Sequence, residues 1–336
     1  MKSCAALPES LAYEADELLN TAIMTGIPIV IVEGHHDVPI YERLALSINK
    51  DCEIYASENI LASQPGCSGV ESNLTEIRKY AQDIPVESYI LGIVDRDARF
   101  YRNERIEDPA ILTLEIYSIE THFVSSEAVR FLIDSTTRAT RHLVTPADAD
   151  IIFIEIQKSL EGLYIYSLEA LRNACEKDYK SQFGYSDRIK AIISERHAPG
   201  IEAKRQALLE FGSRTNIPSG WNGILAICKG KWLLELFIDE FRKQISKLPK
   251  YCADNIISQC QSCIRNTHKN CLYKLAENFD TPQLKQILYQ DTSQPKLGYI
   301  KDRLASLISI IILLTHTDLP HVRDSDTNPI ALRTSF

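Results

Sequence analysis

Four acidic positions in this chain stand where apolar runs stop. Glu33 follows IPIVIV (27–32), Asp95 and Asp97 follow SYILGIV (88–94), and Glu120 closes ILTLEIYSIE (111–120). The first two runs are apolar enough for strands buried on both faces, as in a parallel sheet. Ligands of open parallel sheets bind outside the carboxyl ends of the strands. Neighbouring strands would therefore gather four carboxylates at one edge. Such a group repels itself and raises its own pKa values unless a hard cation is present. Mg²⁺, or Mn²⁺ in its place, prefers carboxylate and water oxygens and often sits against substrate phosphates. There it would polarise a phosphodiester, activate a water and stabilise the leaving oxygen. Glu33, Asp95 and Asp97 are the expected catalytic residues, and with Glu120 the expected metal ligands.

Plainer readings stand beside these. Glu33 could cap the next helix, whose first turn favours anions. Asp95-Arg96-Asp97 could be a solvated turn; if extended, it puts both aspartates on one side and Arg96 on the other or against another element. Glu115 competes with Glu120. The run Glu33-Gly34-His35-His36-Asp37 is not a glycine-rich phosphate cradle. Gly34 reads as the tight exit from the strand, where a side chain could crowd a metal or phosphate. At most one of His35 and His36 is expected near substrate. Asp37 is either a cap or an outer carboxylate.

The positioning elements alternate between strand and helix. Residues 9–24 read as a helix, 27–32 as a strand, 38–48 as a helix and 52–56 as a strand. SQPGCSG (63–69) is a turn-rich loop before another helix. A strand at 88–94 follows, and then the 111–120 run, a strand that gives way to a turn or helix start at Ser118. This order implies an α/β fold with a mainly parallel sheet flanked by helices. Beyond it the pattern is largely helical: 156–195, 201–211 and 221–245, the last with a Gly-Lys turn before a strong helix. A polar tail follows Pro320. The expected organisation is an N-terminal helix (1–26), a catalytic α/β domain (27–140) and a helical substrate- or partner-binding region (141–336).

With a formal charge of −8, non-specific coating of nucleic acid is not indicated. Residues 241–274 nonetheless hold seven Lys or Arg against one acidic residue, Asp254. They form a candidate phosphate-binding patch, with Tyr251 and Tyr273 as base-stacking candidates. The same segment holds Cys252, Cys260, Cys263, His268 and Cys271. Cys260-x-x-Cys263 has zinc-like spacing, and His268 or Cys271 could complete a site with Cys252; ordinary buried cysteines are the alternative. Nine cysteines, an odd number, do not suit a disulfide scaffold. The first residues turn acidic where a signal peptide needs an apolar core. LASLISIIILL (304–314) is too short to span a bilayer and reads as a buried helix. A cytoplasmic protein without membrane contact is expected.

Glu33-Gly34 after one strand and Asp95-x-Asp97 after a later one resemble the TOPRIM fold. That fold occurs in topoisomerases, bacterial primases, recombination factors and the overcoming-lysogenisation-defect nucleases. The resemblance implies that Glu33 is the acid/base or metal group and that Asp95 and Asp97 hold Mg²⁺. VEGHHDVPIYERL, VDRDAR, YSIETHFV and ICKGKWLLELF together resemble DUF4435-type TOPRIM proteins over most of residues 27–240. The last string makes Lys229 and Lys231 accessory candidates. This group includes the nuclease subunit of the PARIS phage-defence system, so the resemblance implies an endonuclease effector that cleaves host tRNA. It also implies release by a separate ABC-type ATPase, with a homodimer forming on release. The sequence has no Walker A motif, so any ATPase must be another chain. The competing expectation is a non-catalytic TOPRIM module that binds nucleic acid or a nucleotide. Primase or topoisomerase chemistry is disfavoured: there is no zinc-ribbon head, and the chain is short for a complete topoisomerase.

Overall fold

A computed structural model describes residues 13–60, 64–104, 106–193 and 197–308. The first half runs α1 (Ala15–Thr25), β1 (Ile29–Val32), α2 (Val38–Ser47), β2 (Glu53–Ala56), α3 (Cys67–Ala81), α4 (Val86–Tyr89), β3 (Ile90–Val94) and β4 (Ile111–Thr113). Helices follow: α5 (Ser126–Thr136), α6 (Pro146–Leu160), α7 (Leu163–Cys175), α8 (Ile189–Ile192), α9 (Ala198–Arg214) and α10 (Gly220–Ile227). The last are α11 (Gly230–Ile245), α12 (Leu248–Ala253), α13 (Gln261–Ile264), α14 (Thr281–Leu288) and α15 (Gly298–Ala305).

The α/β expectation holds. The sheet has four strands in the order β2-β1-β3-β4, all parallel. β1 lies between β2 and β3, with Val32 opposite Ala56 and Ile93. Every residue of β1 and β3 is buried, which is why both read as uninterrupted apolar runs. Alternation divides their side chains between two cores. Ile29, Ile31, Ile90 and Val94 pack with Leu18 and Leu19 of α1 and Val70, Leu74 and Ile77 of α3. Val30, Val32, Leu91 and Ile93 face Ile40, Tyr41 and Leu44 of α2 and the helical second half. This second core continues to Leu307, so it includes residues on both sides of position 140.

Several expected elements differ in extent. Only Ile111–Thr113 of the 111–120 run is strand. The Leu114 N–H still reaches Val94, but the Tyr117 N–H bonds the Leu225 carbonyl of α10, so the chain leaves the sheet. Residues 119–123 then form a 3-10 turn. The expected helix over 156–195 breaks after Leu160 and again after Cys175. Residues 221–245 divide into α10 and α11 around Cys228 and Lys229, in line with the Gly-Lys turn. Residues 9–12, the 309–314 part of the apolar run and the tail after Pro320 lie outside the described residues. Among the described residues, no helix is long and apolar enough to cross a membrane.

Gly92 sets the distance between β3 and α3. A Cβ there would lie 2.6 Å from Val70 Cγ1 and 2.8 Å from Leu74 Cδ1. Gly92→Val should therefore destabilise the chain by about 1–3 kcal/mol through overpacking, read as a lower denaturation midpoint. An unchanged midpoint would mean that α3 can move away freely.

Candidate active site

The carboxyl ends of β1 and β3 are tied together by a side chain. Glu33, one residue past β1, accepts the Asp95 N–H with Oε1 at 3.0 Å. It does not cap α2. Its carbonyl accepts the Gly66 N–H at 2.9 Å and the Ser57 hydroxyl at 3.0 Å. Glu33 is thus fixed from three directions by β2's exit, the α3 approach and β3. Asp95 in turn accepts the Ile119 N–H with Oδ1 at 3.3 Å, which draws the turn carrying Glu120 against the end of β3.

The Asp95-x-Asp97 pair is not extended. The strand stops at Val94, and Asp97 has φ +34°. The reversal turns the Asp97 N–H to the Tyr117 carbonyl at 3.2 Å, while its Oδ1 accepts the Arg99 N–H at 2.5 Å. Both aspartates nevertheless face one pocket, brought there by a turn and not by strand alternation. That pocket, about 360 Å³, is lined by Glu33, Gly34, His35, His36, Asp37, Asp95, Asp97 and Glu120. Lys229, Gly230 and Lys231 line it as well. Glu115, the competitor of Glu120, lines a separate cavity instead.

Arg96, a possible accessory residue, lies against another element, one of the two placements expected for it. It lines that separate cavity, with its guanidinium 3.6 Å over the Phe100 ring and a bond to the Glu115 carbonyl at 2.6 Å. Asp37 makes no side-chain cap to α2; its carboxylate lines the pocket. Gly34 has no protein atom within 4 Å of where a Cβ would sit. The His35 and His36 rings pack at 4.0 Å, and His35 Nδ1 meets Glu58 Oε1 at 2.7 Å.

Sequence reasoning missed Glu58, Tyr117 and Ser118, which also line the pocket. Glu58 follows β2, so the carboxylate-after-strand rule applied to the third strand would have found it. Ser118 donates to Glu120 Oε2 at 2.6 Å. His122 bonds the Ser118 carbonyl through Nδ1 at 3.0 Å and the Tyr299 hydroxyl through Nε2 at 2.9 Å. Burial holds His122 down at about 4, so it is a neutral brace for this turn.

Electrostatics follow from crowding and burial. Burial lifts Glu33 to about 7 against the pull of the Asp95 amide, with Asp97 and Asp37 repelling its charge. Burial and then Glu120 lift Asp37 to about 6. Asp95 is held well above the carboxylate range by burial and by Glu33, Glu120 and Asp37. Burial raises Asp97 as well. Lys229 donates to the Tyr185 carbonyl at 2.6 Å. Burial, with Lys231 nearby, lowers it. The exposed Lys231 side chain has no hydrogen-bond or ion-pair partner among the described residues.

Gly230 begins α11 at the pocket wall. A Cβ there would fall on Ser118 Oγ and lie 2.9 Å from Glu120 Oε2. Only glycine lets the helix start approach this closely.

The donor set fits a hard divalent cation. It consists of carboxylate oxygens whose mutual repulsion is not relieved by bonded cationic side chains within the cluster, around an open pocket. Mg²⁺ keeps several waters and needs only one or two carboxylates beside a phosphate, so a closed protein cage is not required. The carboxylate oxygens do not form one. Among the described residues, the only group of three or more His, Cys, Asp or Glu ligand atoms mutually within 4.8 Å is elsewhere, at Cys252, Cys260, Cys263 and Cys271. That cluster could hold a metal ion. His268 is not part of it.

No protein-family model matches this chain. No curated protein matches it either.

An acid held above its unfolded value binds more protons in the folded state. Stability contributed by Glu33 is therefore lost as pH rises from about 4.5 towards 7. In metal-free buffer, Glu33→Gln should raise stability at about pH 8 by about 1–3 kcal/mol and change little near pH 5. Thermal melting at the two pH values measures this. Equal effects at both would place the Glu33 carboxylate outside the repulsive cluster.

Proposed function

We propose that this chain is a Mg²⁺-dependent endonuclease. The observation that carries the reading is the gathering of Glu33, Asp37, Asp95, Asp97 and Glu120 in one pocket that Lys229 and Lys231 also line. Cationic side chains beside a carboxylate group suit a phosphodiester held next to a metal ion. Glu33, Asp95, Asp97 and Glu120 are the side chains that would hold Mg²⁺, with Mn²⁺ a workable substitute. The ion would supply Lewis-acid polarisation of the phosphodiester and a more acidic bound water.

The chain's own groups divide the remaining work. Glu33 either joins the ion or, left unligated, moves a proton. Lys231 is free to meet a phosphate oxygen. Lys229, anchored on the Tyr185 carbonyl, gives a fixed positive charge. Gly230 admits the first amides of α11 beside Ser118 and Glu120, where the helix dipole favours an anion.

A groove of about 580 Å³ continues from the pocket, sharing His35, His36, Asp37, Glu120 and Lys231 with it. Arg43 and Lys285 also line it. Cations along a groove suit the phosphate backbone of a single strand. This groove, not the 241–274 patch, is the proposed strand path. Tyr273, expected there as a stacking residue, is fully buried and donates to the Ser258 carbonyl at 3.0 Å. The resemblance to phage-defence effectors supports tRNA as the first substrate to try, with a separate ABC-type ATPase as the restraining partner.

The test is incubation of the purified chain with tRNA, single-stranded RNA and DNA, and duplex DNA, with Mg²⁺ or with chelator. Mg²⁺-dependent products should form and fall at least about 100-fold in Glu33→Ala. Cleavage by Glu33→Ala at the parent rate, or cleavage in chelator, would overturn the mechanism. Mg²⁺ binding with no product on any substrate would favour the non-catalytic module.

A further inference from the structure

Residues 248–276 carry little regular structure. α12 has six residues, α13 four, and a three-residue 3-10 turn (His268–Asn270) follows. Four cysteines lie in this segment, and all are buried: Cys252 at 0%, Cys260 at 1%, Cys263 at 2% and Cys271 at 3% exposure. Their sulfurs all lie within 4.8 Å of one another.

The spacing is regular. Seven residues separate Cys252 from Cys260, two separate Cys260 from Cys263, and seven separate Cys263 from Cys271. Cys260 precedes α13 and Cys263 lies within it, and the outer cysteines come from either side in sequence. None of the four is in a disulfide, and the Cys260 and Cys271 sulfurs are 3.9 Å apart. A zinc–sulfur bond of about 2.3 Å implies tetrahedral sulfurs about 3.8 Å from one another.

Backbone amides also turn towards the sulfurs. The Cys260 N–H meets Cys252 Sγ at 3.2 Å. The Leu272 and Cys263 amides hydrogen-bond to Cys260, and the Tyr273 amide to Cys271. Amide donors around a sulfur suit thiolates, whose charge they share with a bound cation. Soft thiolate ligands in a closed set of four select Zn²⁺ for a structural site.

We propose that Cys252, Cys260, Cys263 and Cys271 bind one Zn²⁺ as a closed, structural four-thiolate site that fastens residues 248–276 to α5. The fastening is visible at both strands of the contact. The Arg138 N–H bonds the Leu272 carbonyl at 3.0 Å, and the Ala276 N–H bonds the Thr136 carbonyl at 2.9 Å. Tyr273, one residue from Leu272, is buried beneath the cluster's own segment. Binding displaces the thiol protons to solvent. None of the four cysteines lines the carboxylate pocket, so the site stands whether or not the chain cleaves nucleic acid.

Elemental analysis of the full chain, purified without chelator, tests this. One zinc per chain is expected. Cobalt substitution should give the ligand-field and thiolate charge-transfer absorption of a tetrahedral four-sulfur site. Cys260→Ser with Cys271→Ser should lose the metal, and limited proteolysis should then cut within 248–276. Because that variant could fail to fold, the decisive arm is the parent chain. Only trace zinc, with four thiols reacting freely in the folded protein, would overturn the proposal. Stoichiometric iron with visible cluster absorption would overturn it equally.

Discussion

Glu33 and Asp95 occupy the ends of two adjacent parallel strands, and the Asp95 amide is bonded to the Glu33 carboxylate. Everything else at this edge is arranged around that contact. Buried carboxylates so close oppose each other's ionisation, and among the described residues Glu33, Asp95 and Asp37 form no ion pair, although the Lys231 charge partly offsets Asp37. The fold must therefore hold an unfavourable charge arrangement in place. It does so with rigid parts: a doubly buried β1, α3 drawn close over Gly92, and the 119–123 turn pinned by Asp95 and braced by neutral His122.

The helical second half is part of the same device. Its core is continuous with one face of the sheet. It delivers Lys229 and Lys231 to the acidic pocket through the break between α10 and α11. Gly230 marks the closest approach, where the start of α11 meets Ser118 and Glu120. The two lysines therefore come from more than 100 residues away in sequence, and their position depends on packing of the two halves.

Much of this edge was legible beforehand. Unbroken apolar runs announced β1 and β3, because strands buried on both faces leave no polar alternation. The acids after them announced the sheet edge. Less was legible where contacts between distant segments decide the backbone. Asp97 turns left-handed because its amide reaches Tyr117, and residues 115–118 leave the sheet because Tyr117 reaches α10. Neither contact has a local signature. In 241–274 the basic side chains are exposed, but composition does not distinguish an exposed tyrosine from the buried Tyr273. In the same stretch, the spacing of the four cysteines anticipated their meeting, but not that His268 stands apart.

The most direct measurement is calorimetric titration of Mg²⁺ into the chain near neutral pH, repeated in buffers of different ionisation enthalpy. If the carboxylates hold protons because they repel one another, Mg²⁺ must displace them. Net proton release should accompany binding and diminish in Glu33→Gln. Absence of Mg²⁺ binding, or binding with no proton release, would contradict the claim that this pocket is a strained carboxylate cluster relieved by a divalent cation.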